Sequence, residues 1–342
     1  MVKPCVYIDY SFFKFLLLKG NSFSNPMVRE GKSEYNLMMD FLFDSGIDIV
    51  CHIEEDEPDD FELIRVLEDL HVQGKVVLKK ADRKTFEDET LNIGRKSPFS
   101  LCCIALPEPP KMQRVTEAGF TCITRDNFDK FLKMPFFKQN AFEVAKDGEI
   151  GDWSDFSKLS HNFNSIVIFD SYLFALQHKK SRSEYTETIS ELISNLLVNN
   201  NSKLIKVLIA FPKLQPQQEI RKSLVDLQSH LEETLNKKLN GEKDVRIGLA
   251  KIPQKTSINH DRMIFTNFMV LFSGDSFNYF QKGLQPSIET ILSSYTMLDW
   301  QNNFQSYLKK LQKLKKVIPT LDKLGTQAVR AGDCDLEFLK FM

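Results

Sequence analysis

Short apolar segments alternate with segments of helical periodicity along most of this chain, and this alternation constrains the fold more than any other feature. In the first part of the chain, five apolar runs predict strands at residues 6–8, 47–53, 75–78, 101–106 and 120–124. Apolar residues at helical spacing predict helices at 34–44 and from Pro58 to Gly74, and a helix starts at Pro109. Strands that alternate with helices predict a mostly parallel sheet with helices on both faces.

A second series of the same kind follows a polar stretch at 146–160, which has glycines and no clear periodicity. The second series predicts strands at 165–169, 204–211, 245–252 and 263–272, and helices at 183–198, 217–238 and 288–314. A chain of 342 residues is also too long for one ordinary core. We therefore predict an α/β protein of two domains, 1–145 and 153–342, each with a mostly parallel or mixed sheet flanked by helices.

Composition limits the classes of function. The formal net charge of −1 argues against a protein that coats nucleic acid by overall charge, although a local basic patch remains compatible with it. The apolar run at 12–18 is interrupted by Lys14 and no small-residue cleavage site follows it, so we expect no signal peptide, no membrane partner and a cytoplasmic protein. The six cysteines form no C-x-x-C pair, so we expect reduced core thiols and no zinc. Glycine-rich phosphate-binding motifs are also missing, so no nucleotide cofactor is expected.

Acidic residues stand directly after two predicted strands of the first domain. Asp9 and Asp126 occupy these positions, and ligands of parallel α/β sheets bind at the carboxyl ends of strands. Asp40 and Asp44 lie one helical turn apart, and either could complete a site for Mg²⁺ or Mn²⁺, which prefer oxygen ligands. The alternative is that Asp126 caps the next helix and that the two helical acids are solvated.

Two segments of the first domain resemble the acidic motifs of PIN-type nucleases. They are V-Y-I-D-Y-S-F-F at 6–13 and C-I-T-R-D-N-F at 122–128, and the resemblance covers roughly residues 5–135. It implies that Asp9 and Asp126, with Asp40 or Asp44, hold a metal ion that activates water for phosphodiester hydrolysis.

The second domain contains I-N-H-D-R-M-I-F-T-N at 258–267, followed by S-G-D-S-F at 273–277. On a strand, His260 and Arg262 share a face, which suits a phosphate or carboxylate pocket and also suits pairing with Asp170. The segment resembles the H-x-K motif of the phospholipase D family. The resemblance implies that His260 attacks phosphorus or protonates a leaving group, that Arg262 holds phosphoryl oxygens, and that Asn267 stands in place of the family's acid. Because the chain has one such motif, activity would require a homodimer.

The same region is also similar to the phospholipase-D-like module at the C-terminus of MIT-domain proteins and to its prokaryotic relatives. The shared motifs are D-x-Y-L at 170–173, H-D-R-x-I-x-T-N at 260–267 and G-x-x-F at 274–277, and the similarity covers roughly 153–335. It implies a phospholipase-D-like fold and a binding module in preference to a hydrolase.

Together, these patterns predict a protein that binds or cleaves phosphodiesters of nucleic acid, which we expect to belong to a prokaryotic defence or mobile-element system. The alternative is a non-catalytic interaction protein that docks onto a larger assembly. A lysine-rich helical segment at 309–316 is either solvated surface or a contact for nucleic acid or an acidic partner.

Overall fold

The structure of the chain is a computed structural model. It describes residues 3–19, 34–44, 47–53, 61–94, 97–106, 108–134, 140–174, 182–212, 223–252, 262–280, 289–299, 304–319, 323–324 and 327–340. The structure is α/β with two main sheets, one parallel and one mixed, flanked by helices, which confirms the predicted fold class.

The first sheet is entirely parallel and has the strand order β3-β2-β1-β4-β5. Its strands are β1 (Cys5–Asp9), β2 (Asp48–His52), β3 (Val77–Ala81), β4 (Ser100–Ile104) and β5 (Thr121–Thr124). The two central strands are almost completely buried, as expected for a sheet that is covered on both faces.

In the part of the chain that the structure describes, six helices accompany this sheet: α1 (Tyr10–Lys19), α2 (Glu34–Asp44), α3 (Phe61–Val72), α4 (Arg83–Leu91), α5 (Pro109–Glu117) and α6 (Phe128–Leu132). Prolines occupy the first turn of α5, where the missing N–H costs no helical hydrogen bond. α5 stops at Gly119, whose φ of 89° is a left-handed conformation that favours glycine.

The second sheet is mixed and has eight strands in the order β15-β9-β8-β7-β10-β11-β12-β6. They are β6 (Asn140–Val144), β7 (Ser165–Phe169), β8 (Leu204–Pro212), β9 (Asp244–Ile252), β10 (Met263–Thr266), β11 (Met269–Ser273), β12 (Thr290–Thr296) and β15 (Arg330–Gly332). β7, β8 and β9 are parallel, and the other pairings are antiparallel. β6 lies on the first-domain side of the predicted boundary, yet it pairs with β12 at the edge of the second sheet.

The remaining elements are α7 (Arg182–Leu196), α8 (Leu224–Lys238), α9 (Gln305–Val317), α10 (Glu337–Lys340) and a short hairpin of β13 (Lys323–Leu324) and β14 (Gln327–Ala328). A 3-10 helix, Trp153–Leu159, occupies much of the polar stretch at 146–160, where we predict the boundary between the two domains. The lysine-rich segment lies on α9, where Leu308, Leu311 and Leu314 are buried.

Two sequence predictions in the second domain are wrong. The apolar run at 263–272 is not one strand, because Thr266 turns the chain and β10 and β11 form an antiparallel hairpin. The hydroxyl of Thr266 accepts hydrogen bonds from the backbone N–H groups of Phe268 and Met269, and this local bonding makes the turn. The segment 288–314 is not one helix either. Its first part is β12, in which burial alternates from Leu292 to Thr296 with the period of a strand.

The two sheets contact each other through asparagine side chains. Asn162 donates to the carbonyls of Thr116 and Phe120, and Asn164 donates to the carbonyl of Ala118. These contacts join the segment before β7 to the end of α5. None of the described helices is long and apolar enough to cross a lipid bilayer.

Candidate functional site

The strand order creates a topological switch point in the first sheet, between β1 and β4. From β1 the chain moves outward to β2 and β3, and it then returns to the other side of β1 to form β4 and β5. Connections that leave a parallel sheet in opposite directions open a crevice at the carboxyl ends of the strands, which is where ligands bind in such folds. Asp9 is the last residue of β1 and therefore lies at this crevice.

The Asp9 carboxylate is held in place by backbone groups. Its Oδ1 accepts a hydrogen bond of 2.6 Å from the N–H of Phe12, in the first turn of α1, and its Oδ2 accepts one of 2.7 Å from Ala105, just after β4. Burial raises the pKa of Asp9 above its ordinary value, although these two hydrogen bonds and the nearby Arg125 and His52 partly offset the effect. Asp9 is thus a poorly hydrated carboxylate in a defined orientation.

A cavity of about 300 Å³ opens beside Asp9. Its described walls come from the ends of β1, β2 and β4, from the start of α1, and from α4 and α5. Its charged and aromatic lining residues are Asp9, Tyr10, His52, Arg83, Phe86, Glu87, Glu108 and Lys111. We call this cavity the switch-point cleft. It combines carboxylates with cationic side chains, and such a mixture suits a ligand that has both phosphate groups and a bound metal ion.

Side-chain contacts arrange one wall of the switch-point cleft. The His52 ring stacks on Phe86 with centroids 5.3 Å apart, and the Lys111 ammonium lies 5.2 Å from the centroid of the same ring. Arg83 forms an ion pair of 3.0 Å with Glu87, one turn along α4. Because β1 and β2 are paired, Asp9 and His52 are direct neighbours across the strands. The cleft therefore presents an acid and an imidazole side by side.

The other predicted metal ligands lie elsewhere or outside the described residues. Asp40 is half-buried on α2, Asp126 is exposed in the turn after β5, and the side chain of Asp44 is outside the described part of the chain. Within that part, no group of three or more His, Cys, Asp or Glu side chains is close enough to hold a metal ion. Of the described acids that were predicted as ligands, Asp9 lines the switch-point cleft. The metal site remains a prediction.

Asp170 lies at the end of β7 in the second sheet and is completely buried. Its Oδ2 accepts hydrogen bonds from the Ser276 hydroxyl at 2.6 Å and the Phe277 N–H at 2.8 Å, and its Oδ1 accepts one from the Tyr172 N–H at 2.8 Å. Burial raises the pKa of Asp170, and these hydrogen bonds and the Arg262 guanidinium partly offset that effect. These bonds give Asp170 the role of holding the turn at 274–277 against β7.

Arg262 stands immediately before β10, close to the same turn. Its Nη1 donates to the carbonyl of Gly274 at 3.0 Å, and its guanidinium lies 5.2 Å from the centroid of the Tyr172 ring. Its buried Nε has no hydrogen-bond partner among the described residues, so a donor remains available there. His260, which we predicted as its neighbour in a phosphate site, lies outside the described residues.

Asn267 has a different position from the one that we expected. It follows β10, whereas Arg262 precedes it, so the two lie at opposite ends of this strand, roughly 16 Å of extended chain apart. Its Nδ2 donates to the carbonyl of Pro98 at 2.9 Å, and its Oδ1 accepts from the N–H groups of Asn164 and Ser165 at 3.2 and 3.3 Å. The structure thus places Asn267 in a buried contact between the sheets, and not in a common site with Arg262.

Sequence reasoning missed the residues of α4 and α5 that surround Asp9. The segment R-K-T-F-E-D-E-T-L has few apolar residues, so it shows a weak helical pattern. A usable signal was present at Asp82, which caps α4 through a hydrogen bond of 2.7 Å from the N–H of Thr85. His52 lies near the end of a predicted strand, and nothing in the sequence shows that this position is beside Asp9.

No family model matches the sequence, and no curated protein matches it. The function is therefore inferred from the geometry of the site.

Proposed function

We propose that this chain binds phosphodiester groups of nucleic acid in the switch-point cleft and cleaves them with the help of a divalent cation. The observation that carries the proposal is the position of Asp9. It is a half-buried carboxylate, fixed by two backbone hydrogen bonds, at the topological switch point of a parallel sheet and on the wall of a cavity that also contains cationic side chains.

The electrostatic state of Asp9 supports this function. Burial makes the ionised carboxylate less stable than it is in water, which is why its pKa is raised. A cation bound at the free lone pairs of the carboxylate would compensate for the lost hydration. An acid in a cleft whose pKa is raised by burial is a candidate for a functional site.

The cationic side chains support phosphate as the group that is bound. Lys111 and Arg83 line the cavity from two different helices, and Arg83 is largely exposed, so it can reorient toward a ligand. Guanidinium groups bind phosphate oxygens in a bidentate manner, whereas an ammonium acts as a point charge. Two cations on different helices can hold successive phosphates of one strand.

The acids in the cleft fit Mg²⁺ or Mn²⁺. Magnesium is commonly held by one or two carboxylates, with water and substrate phosphate oxygens as further ligands, so a dedicated cluster of three acids is not required. Asp9 would be the first ligand, and Glu87 or Glu108, which line the same cavity, would supply the second. When bound, such an ion lowers the pKa of a water molecule and stabilises charge that develops on the phosphate.

The test is cleavage of labelled single-stranded RNA and DNA by the full chain, with Mn²⁺ or with chelator. Asp9→Asn changes the charge with little change in shape, and we expect it to lower cleavage about 100-fold or more. Asp126→Asn is the matched control, because this acid also follows a strand of the first sheet but is exposed and does not line the cavity. We expect Asp126→Asn to keep full activity.

Four results would count against the proposal or change it. An equal loss in both variants would favour the acidic set shared with PIN-type nucleases over the switch-point cleft alone. Chelator-resistant cleavage that persists in Asp9→Asn would move the chemistry to the second domain. Binding without cleavage by the wild type would favour the non-catalytic interaction protein, and neither binding nor cleavage would reject the proposal.

A further inference from the structure

A second cavity, of about 370 Å³, lies at the junction of the two sheets. Residues of α5, β5 and α6 line one side of this cavity. The other side is lined by the segment 160–162, which precedes β7, and the segment 199–201, which follows α7. We call it the junction cavity. In the described residues it shares no lining residue with the switch-point cleft, so the two sites are distinct.

Hydrogen bonds across the junction and within one of its sides hold the walls of the junction cavity in place. Asn162 donates from Nδ2 to the carbonyls of Thr116 and Phe120, both at 2.8 Å, and its Oδ1 accepts from the N–H of Asn201 at 2.8 Å. The Ser160 hydroxyl accepts from the N–H of Asn199 at 2.7 Å. The cavity is therefore formed before a ligand arrives, and its volume lies within the range of small-molecule pockets, about 300–1,000 Å³.

One wall residue has an unused hydrogen-bonding group. Thr121, on β5, is 8% exposed and lines the cavity, and its Oγ1 has no hydrogen-bond partner among the described residues. Buried hydroxyl groups in folded proteins are almost always hydrogen-bonded, because an unpaired one loses its hydration without compensation. A ligand in the junction cavity would supply the missing partner.

The remaining lining residues define the chemistry of that ligand. Met112, Phe131 and Met134 provide an apolar surface of the kind that packs against a flat ring. Asn199 and Asn201 contribute exposed amide side chains, which can bond the edge of a heterocycle.

The charges of the lining residues narrow the class of ligand further. Among the described lining residues, Lys130 is the one with a formal charge at neutral pH. His161 is neutral, because complete burial lowers its pKa to about 4 and its ring nitrogens bond Leu159 and Thr266. One cation and no lining acid favour an anionic ligand, and an ammonium at the edge of a pocket is a good partner for phosphate.

We propose that the junction cavity binds a nucleoside monophosphate, with its base between the apolar and amide side chains, a hydrogen bond to Thr121 and its phosphate at Lys130. Such a ligand would contact both sheets at once. Binding would therefore stabilise the junction and couple the two sheets. The site would work without a glycine-rich phosphate loop, because the phosphate is held by a side chain and the base by the walls.

The test is calorimetric titration of the full chain with AMP, adenosine and inorganic phosphate, together with the melting temperature in each ligand. We expect AMP to bind, to raise the melting temperature, and to bind more tightly than adenosine or phosphate. Thr121→Val removes the hydroxyl with little change in volume. This variant should weaken AMP binding about 10-fold, the equivalent of one hydrogen bond, while the ligand-free protein melts at the same or a higher temperature. A purely structural role for Thr121 would not produce this opposite pair of effects.

Three lysine variants complete the design. Lys130→Gln should weaken the binding of AMP but not that of adenosine, and Lys133→Gln is the matched control, because Lys133 is exposed next to the same helix and does not line the cavity. The proposal is overturned if wild type binds none of the three probes, if Thr121→Val binds AMP as wild type does, or if Lys133→Gln has the same effect as Lys130→Gln. It is also overturned if Lys111→Gln abolishes AMP binding while Lys130→Gln does not, because the nucleotide would then occupy the switch-point cleft.

Discussion

Replacing Asn267 tests whether this residue holds the two sheets together or belongs to a catalytic motif. Its side chain is 1% exposed and makes three hydrogen bonds, to the carbonyl of Pro98 and the N–H groups of Asn164 and Ser165. Asn267→Ala leaves all three backbone groups without a partner in a buried region. Asn267→Asp introduces the acid that the phospholipase D family has at this position, but it places an acceptor opposite the Pro98 carbonyl.

The loss of stability in Asn267→Ala follows from the number of backbone groups that lose a hydrogen-bond partner. An unpaired buried polar group costs about 1–3 kcal/mol, and because two of the bonds are long we use the lower end, about 3 kcal/mol in total for Asn267→Ala. An unfolding entropy of about 2.1 cal/mol/K per residue amounts to about 0.7 kcal/mol/K for a cooperative unit of this chain's length, so the melting temperature should fall by about 4 °C.

The stability of the Asn267→Asp variant should depend on pH. The buried carboxyl can donate to Pro98 only when it is protonated, so its pKa in the folded state is raised above the unfolded value of about 3.9. The folded state then binds more protons, and the stability of this variant relative to wild type should fall as the pH rises above about 4.

The assay is thermal unfolding of wild type and both variants from pH 4 to pH 8, with nuclease activity measured in parallel. A melting temperature of Asn267→Ala within about 1 °C of wild type would refute the structural role. So would an Asn267→Asp variant that is as stable as wild type at pH 7 and cleaves nucleic acid faster, which is the outcome that the family resemblance implies.

Three further predictions address other parts of the structure. Gly119→Ala should destabilise the fold by about 2–4 kcal/mol in denaturant unfolding, since φ is 89° and the new Cβ would lie 2.4 Å from the Cβ of Asn164. Gly74→Ala is the control and should cost about 1 kcal/mol, because φ is 70° and nothing lies within 4 Å of the new Cβ. Equal costs for the two variants would contradict the close approach of the two sheets at Gly119. The folded-state pKa of His161 is lowered from 6.5 to about 4. The wild type should therefore lose about 3 kcal/mol of stability relative to His161→Gln as the pH falls from 6.5 to 4. A stability difference that does not vary with pH would show that the imidazole is not buried in its neutral form. Lys111→Gln should weaken the binding of single-stranded nucleic acid and reduce the slope of log K against log salt by about 0.7, and an unchanged slope would show that Lys111 makes no phosphate contact.

The strands and the position of Asp9 could be predicted from the sequence because they depend on local patterns. Apolar runs that end in an acid mark a buried strand and its carboxyl end wherever they occur, and β1 and β7 both lie as predicted. The hairpin of β10 and β11 could not be predicted in this way, because the apolar run continues through it and the turn depends on the hydroxyl of Thr266.

The candidate sites depended on which strands become neighbours. Asp9 and His52 are more than 40 residues apart, and they meet because β1 pairs with β2; Arg83 and Lys111 join them from helices that pack near those strand ends. The sequence motif predicted that Asn267 lies in a catalytic site with Arg262. In the structure Asn267 lies at the other end of β10, where its side chain contacts Pro98 next to the first sheet.

The amino-acid sequence by itself determined the α/β class, most strand positions and the acid at the end of β1, because periodicity and residue type act over a few neighbouring residues. The tertiary structure alone decided the strand order, the cleft beside Asp9, the contact made by Asn267 and the burial of the Thr121 hydroxyl without a partner among the described residues. These features arise from burial and pairing between distant segments, and no local pattern records which segments will meet.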